Sequence, residues 1–203
     1  MDVSGIALIT GGASGLGSAC ATKFAIEGAT GVAIVDLNLE AAQKVKLEAE
    51  RVATARSFCA AAWKLDVADE SEVERVLDDV KRRFGRIDYV VNSAGIVVIH
   101  EGGTAAAETR DWQRAMKVNV DGTFFVCRAA ARIMLAQEPH SGARIALNTT
   151  RGSIVNVSSI AGVVGVGQST AYASSKHAVL GLSKTMSEDH AHEGIRVNVV
   201  CPG

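Results

Sequence analysis

The strongest constraint on this chain is the alternation of two hydrophobic periods. Short apolar, β-branched runs are each followed by a longer segment whose apolar residues recur at helical spacing. The first run, Ile6-Ala7-Leu8-Ile9-Thr10, has no polar alternation, which suits a strand covered on both faces. The pattern predicts strands over 6–10, 32–36, 58–66, 87–92, 153–158 and 195–200, and helices over 15–27, 40–51, 71–84, 111–136 and 171–192. The helix that begins near 71 is the best marked. Ser71 and Glu74 have capping-box spacing, Val73, Val76, Leu77, Val80 and Phe84 share one face, and Gly85 stops it. Residues 139–151 read as irregular. Repeated strand, helix, strand specifies an α/β fold, a doubly wound parallel sheet in three αβα layers. No linker, second domain or short repeat interrupts the 203 residues, so a single domain over 1–203 is expected.

The first strand runs straight into Thr10-Gly11-Gly12-Ala13-Ser14-Gly15-Leu16-Gly17. A pyrophosphate needs backbone N–H donors and a close approach, and glycine allows both. The helix that follows aims its positive end at the same place. The glycines at 11, 15 and 17 are spaced Gly-x-x-x-Gly-x-Gly, which by itself is compatible with a mere tight turn. The context adds meaning, because Asp36 ends the next strand, where a carboxylate can hydrogen-bond the adenosine ribose. A carboxylate there repels a 2′-phosphate unless a basic neighbour compensates. Ser14 and Leu37 are not basic, and Lys23 and Lys44 fall on helix faces, so NAD is favoured over NADP.

Tyr172 and Lys176 are four residues apart in a predicted helix and therefore share a face. A free phenol titrates near ~10 and is a poor base at neutral pH. An ammonium and a bound nicotinamide cation would both favour its phenolate. Spacing alone also permits an ordinary surface pair. Ser158 and Ser159 end the fifth strand, and Gly11, Asn92 and these serines all fall at carboxyl ends of strands, where ligands bind in parallel sheets.

In these residues the chain resembles the short-chain dehydrogenase/reductases. The matching stretches are Thr10 to Gly17, Asp66-Val67, Asn92-Ser93-Ala94-Gly95, Asn119, Ser159 with Tyr172 and Lys176, and Pro202-Gly203. The resemblance implies a Rossmann-like NAD(P)-binding domain that moves a hydride between NAD(H) and a secondary alcohol or ketone. It implies that Asn119 holds a water of a proton relay and that Ser159 hydrogen-bonds the substrate oxygen. Tyr172 would be the general acid/base, and Lys176 would bind the nicotinamide ribose. The cofactor would be lined by Gly11, Ser14, Gly15, Leu16, Gly17, Asp36, Asp66, Val67, Asn92, Ala94, Gly95, Tyr172, Lys176, Pro202 and Gly203. Ser158 competes with Ser159, and Ser93 departs mildly from the family's second Asn. Helices 111–136 and 171–192 resemble those through which members dimerise, which implies a dimer or tetramer.

Family members continue past Pro-Gly with a final strand and a substrate helix, so a C-terminally incomplete chain with weak or no activity is expected. Two alternatives stand beside the dehydrogenase: an inactive NAD(H)-binding or interaction module, and an NADP-dependent carbonyl reductase. Lys and Arg number 21 against 22 Asp and Glu, which gives no electrostatic motive for binding nucleic acid or an anionic membrane. Cys20, Cys59, Cys127 and Cys201 form no Cys-x-x-Cys pair, so neither a metal site nor a disulfide framework is expected, and a reducing, cytoplasmic setting follows. The N-terminus lacks the basic flank of a signal peptide, and no apolar run is long enough for a membrane span. The sequons at Asn148 and Asn156 are read as chance.

Overall fold

A computed structural model describes residues 3–139 and 150–203. The predicted irregular stretch and the sequon at Asn148 fall largely outside those residues. Six parallel strands form one sheet: β1 (Ile6–Thr10), β2 (Gly31–Asp36), β3 (Cys59–Lys64), β4 (Tyr89–Asn92), β5 (Gly152–Val157) and β6 (Ile195–Val200). Their spatial order is β3-β2-β1-β4-β5-β6, so the winding reverses between β1 and β4. The helices are α1 (Gly15–Ile26), α2 (Leu39–Val52), α3 (Glu70–Phe84), α4 (Thr109–Met116), α5 (Gly122–Ala136) and α6 (Thr170–His190).

Successive residues of a strand point to opposite faces, and the core divides accordingly. Ala7, Ile9, Val32 and Ile34 pack with Ala21 of α1 and Ala42 of α2. Leu8, Ala33 and Val35 pack with Val73, Val76 and Leu77 of α3, Val126 and Ala130 of α5, and Met186 of α6. Both faces of β1 and β2 are therefore covered, which is why their sequences are uninterrupted apolar runs.

Two details differ from the sequence expectation. The N-cap of α3 is Asp69, not Ser71: the Asp69 carboxylate accepts from the Glu72 N–H at 3.0 Å and from the Ser71 hydroxyl at 2.7 Å. Both bonds end on Oδ1, whose lone pairs let Asp69 cap the helix and hold the serine together. The predicted helix 111–136 is broken by one π-helical turn, Lys117–Asp121, between α4 and α5. Asn156 is fully buried, so its sequon is not presented. No helix among the described residues is long and apolar enough to cross a membrane.

Candidate active site

The polar residues singled out above converge on one cavity of about 930 Å³ at the carboxyl edge of the sheet. That is near the upper end of the ~300–1,000 Å³ usual for small-molecule sites. It opens where the winding reverses, the place where doubly wound sheets bind ligands. Gly11, Ser14, Gly15, Leu16, Asp36, Asp66, Val67, Ala94, Gly95, Ser159, Tyr172, Lys176, Pro202 and Gly203 line it. Gly17, Asn92 and Asn119 do not; each stands behind the wall.

The turn after β1 is built by backbone demands. Gly11 has φ +61°, and a Cβ there would meet the Ala94 nitrogen at 2.8 Å. A Cβ on Gly17 would overlap the Gly11 carbonyl oxygen. Gly15 has φ +50°, and nothing stands within 4 Å of where its Cβ would point. The turn thus faces the cavity as bare backbone. Thr10 accepts the N–H groups of Ser93 and Ala94 through Oγ1, both at 3.2 Å, which joins this turn to the loop after β4. The first turn of α1 holds no acidic residue, so its unpaired N–H groups and positive end remain uncompensated. An anionic pyrophosphate fits that donor set.

Asp36 is fixed by two backbone donors. Oδ2 accepts from Ala13 N at 3.0 Å, and Oδ1 from Asn38 N at 2.9 Å. Lys23 and Lys44 are paired along their own helices with Glu27 and Glu40. Sequence reasoning missed two cations on the wall, Arg114 of α4 and Lys117 of the π turn. Their spacing of three residues on a helix put them on one face, but only the packing of α4 shows which face meets the cavity. Lys117 lies near Asp69, whose carboxyl is held low by the Ser71 hydroxyl, the Glu72 N–H and, more weakly, Lys117.

At the other end, Lys176 is buried and its Nζ stands 5.7 Å from the Tyr172 ring centroid. Nζ donates to the Val157 carbonyl at 2.8 Å. Burial pushes the Lys176 ammonium below its ordinary pKa, because the charged form loses water. The two serines part ways. Ser158 is buried and donates to the Lys176 carbonyl at 2.9 Å. Both border the cavity, but the Ser159 Oγ accepts from Ala161 N at 3.1 Å, which leaves its proton unengaged by that bond.

Asn119 is wholly buried in the π turn. Its Oδ1 accepts from Ile96 N at 2.8 Å, and its Nδ2 donates to Ile96 O and Ser175 Oγ, both at 2.9 Å. Ser175 in turn donates to the Tyr172 carbonyl at 2.7 Å. The side chain therefore links the loop after β4 to the helix that carries Tyr172. Asn92 donates to Asn156 Oδ1 at 2.8 Å inside the sheet. Among the described residues no group of His, Cys, Asp and Glu is disposed to hold a metal ion.

A six-stranded parallel sheet with a glycine turn and a Tyr/Lys pair on one cavity defines a nucleotide-dependent α/β enzyme. The family model "short chain dehydrogenase" matches residues 5–203, and the chain belongs to that family. Short-chain dehydrogenase fogB of Aspergillus ruber is 42% identical over 204 residues, covering 100% of this chain and 75% of fogB. Short-chain dehydrogenase srdC of Neurospora crassa is 44% identical over 204 residues, with 100% and 75% covered. The crystal structure of an NAD+-bound xylitol dehydrogenase superposes with a TM-score of 0.88 at 32% identity, covering 100% of this chain and 72% of that one. The protein is thus an oxidoreductase of CH–OH and carbonyl groups, in a family that binds NAD(P).

Proposed function

We propose that the chain moves a hydride between NAD(H) and a secondary alcohol or ketone, with Tyr172 as general acid/base. The observation that carries this is that Tyr172, Lys176 and Ser159 line the same cavity as the glycine turn. When bound, the nicotinamide supplies the hydride acceptor or donor. The chain's residues do the rest. The turn from Gly11 to Gly17 binds the pyrophosphate through backbone N–H groups, with Gly17 setting its shape from behind. Asp36 receives the adenosine ribose, Asp66 and Val67 flank the adenine, and Ala94 and Gly95 floor the cavity beside Asn92. Pro202 and Gly203 close the nicotinamide end.

In alcohol oxidation, Ser159, keeping its proton, donates a hydrogen bond to the substrate oxygen and orients it. Tyr172 takes the hydroxyl proton as the C–H bond breaks, and returns it in reduction. Lys176 has three donors, one of them committed to Val157, and the others serve the ribose and the phenol oxygen. Both side-chain amide protons of Asn119 are committed, and in this reading the relay water rests on its backbone carbonyl. That carbonyl accepts from Thr123 Oγ1 at 2.7 Å and keeps a second lone pair.

NAD is the cofactor in this reading, supported by Asp36 and by the pairing of Lys23 and Lys44 away from it; the xylitol dehydrogenase neighbour is itself NAD+-bound. Arg114 and Lys117 on the wall favour a second reading, an NADP-dependent carbonyl reductase. A homo-oligomer packed through 111–136 and 171–192 completes the proposal, supported by the exposed Trp112 and Phe124. Light scattering on the purified protein tests that part. The deciding experiment is Tyr172→Phe. Turnover should fall about 10²–10⁴-fold, the usual worth of a general acid/base, while the NADH Kd stays within about twofold. Near-normal turnover would reject the assignment.

A further inference from the structure

Two loops flank Ser159 and Tyr172, and neither carries a charged side chain near them. From Tyr89 to Ile99, and again from Gly152 to Ser175, the sequence contains no Asp, Glu, Lys or Arg. The loops are clasped to each other. His100 N donates to Gln168 O at 2.8 Å, and the hydroxyls of Thr104 and Thr170 meet at 2.6 Å. Gln168 holds φ +61°, a left-handed conformation that a non-glycine residue keeps only where its surroundings impose it.

On these clasped loops stand Val97, Ile99, Ile160, Val163, Val164 and Val166, each between 41% and 63% exposed. Isolated exposed aliphatics are ordinary. Six of them on two joined loops are a patch, and a patch of this kind beside reactive groups marks a surface for a ligand. Val97 lines the cavity itself, and Ile160 directly follows Ser159, which also lines it. The apolar loops therefore begin at the wall that carries the chemistry.

Resting on the oxidoreductase reading above, we propose that the substrate is neutral and hydrocarbon-like around its reacting carbon, a ring or chain ketone or alcohol seated against Val97 and Val163. A polyol would have to find a partner for every hydroxyl it withdraws from water. Several nearby hydroxyls already spend their protons within the protein: Ser158 donates to Lys176 O, Ser169 to Gly167 O, and Thr104 and Thr170 bond each other, while Ser159 is left for the reacting oxygen. A carboxylate or phosphate would need a cation; neither loop offers one, and the wall's Arg114 and Lys117 stand apart from these loops, on α4 and the π turn.

The test reads binding without turnover, since a ketone cannot be reduced while NAD+ occupies the cofactor site. The chain saturated with NAD+ is titrated by calorimetry with 2-decalone, with a pentulose and with levulinate. The expected result is that 2-decalone binds at least about tenfold more tightly than the other two. The double substitution Val97→Ser, Val163→Ser should weaken 2-decalone about tenfold and leave NAD+ affinity and Tm unchanged. Tighter binding of the pentulose or levulinate, failure of all three, or full 2-decalone affinity in the double variant would overturn the proposal. Failure of NAD+ itself to bind would overturn the oxidoreductase reading beneath it.

Discussion

Lys176 Nζ lies 2.8 Å from the carbonyl oxygen of Val157, the last residue of β5. One hydrogen bond thus anchors a buried ammonium of α6 to the strand end from which the two serines depart. The anchor holds Lys176 at the cavity wall although burial opposes its charge.

That opposition has a consequence for stability. The folded pKa of Lys176 lies below the unfolded value of about 10.4. Between those two values the unfolded chain binds more protons than the folded one, so stability rises with pH across that window. The destabilising contribution is fully present below the folded pKa and vanishes above the unfolded one. Urea unfolding of the wild type and of Lys176→Met should therefore show a difference that moves in favour of the wild type as pH rises from neutral toward about 10. A pH-independent difference would mean that Lys176 is not desolvated.

Where the sequence could be read, the signal was local. The turn from Thr10 to Gly17, Asp36 at the end of β2 and the Tyr172/Lys176 spacing lie within single elements, and periodicity places such elements. The two serines after β5 stayed rivals in the sequence; in the structure Ser158 is buried, with its proton on Lys176 O, and Ser159 is half-buried. What escaped depends on tertiary packing. A π turn adds one residue to a helix without changing its composition, so Asn119 gave no hint of the break that contains it. Arg114 and Lys117 reach the wall only because of how α4 is laid against the cavity. Asp69 displaced Ser71 as cap because both offer a suitable oxygen and the helix begins at Glu70, which puts Ser71 inside its first turn.

Asp36 sets the cofactor preference if its charge faces the ribose. Asp36→Asn keeps a polar side chain of the same shape but removes the repulsion toward a 2′-phosphate. The wild type should bind NADH more tightly than NADPH, and the variant should shift the ratio of the two Kd values toward NADPH by about tenfold, which is ~1.4 kcal/mol. Fluorescence titration measures both. A wild type that prefers NADPH would instead assign Arg114 and Lys117 to the phosphate.

The buried amides make a different demand. Asn156 Oδ1 accepts from Asn92 Nδ2 at 2.8 Å, and Asn156 Nδ2 donates to Ser183 Oγ at 2.9 Å, which ties β4, β5 and α6 together. Replacing one partner strands the others out of water. Asn156→Leu should cost about 1–3 kcal/mol for each polar group left unpaired, seen as a lower urea midpoint with unchanged m. Cys127 lies in the same cluster, its thiol pushed up to about 12, chiefly by burial. It should resist alkylation at pH 8 in the native wild type and become reactive in the variant as local opening increases. An unchanged midpoint would remove the network from the account of stability.

Glycine substitutions separate the two uses of glycine in this chain. Gly181 lies on the exposed face of α6, and a Cβ there would meet nothing within 4 Å. Gly181→Ala should raise stability by about 0.5–1 kcal/mol, because alanine loses less backbone entropy in a helix interior. Gly17 is also helical, and propensity alone predicts the same gain. Its Cβ, however, would overlap the Gly11 carbonyl, and neighbouring backbone cannot retreat as a flexible side chain can. The turn must open, which misdirects the N–H groups of the first turn of α1. Gly17→Ala should therefore lower stability and weaken NADH at least about tenfold, whereas Gly181→Ala leaves the NADH Kd unchanged. Thermal melts and NADH fluorescence on the two variants measure both effects, and retained NADH affinity in Gly17→Ala would show that the pyrophosphate does not depend on this turn.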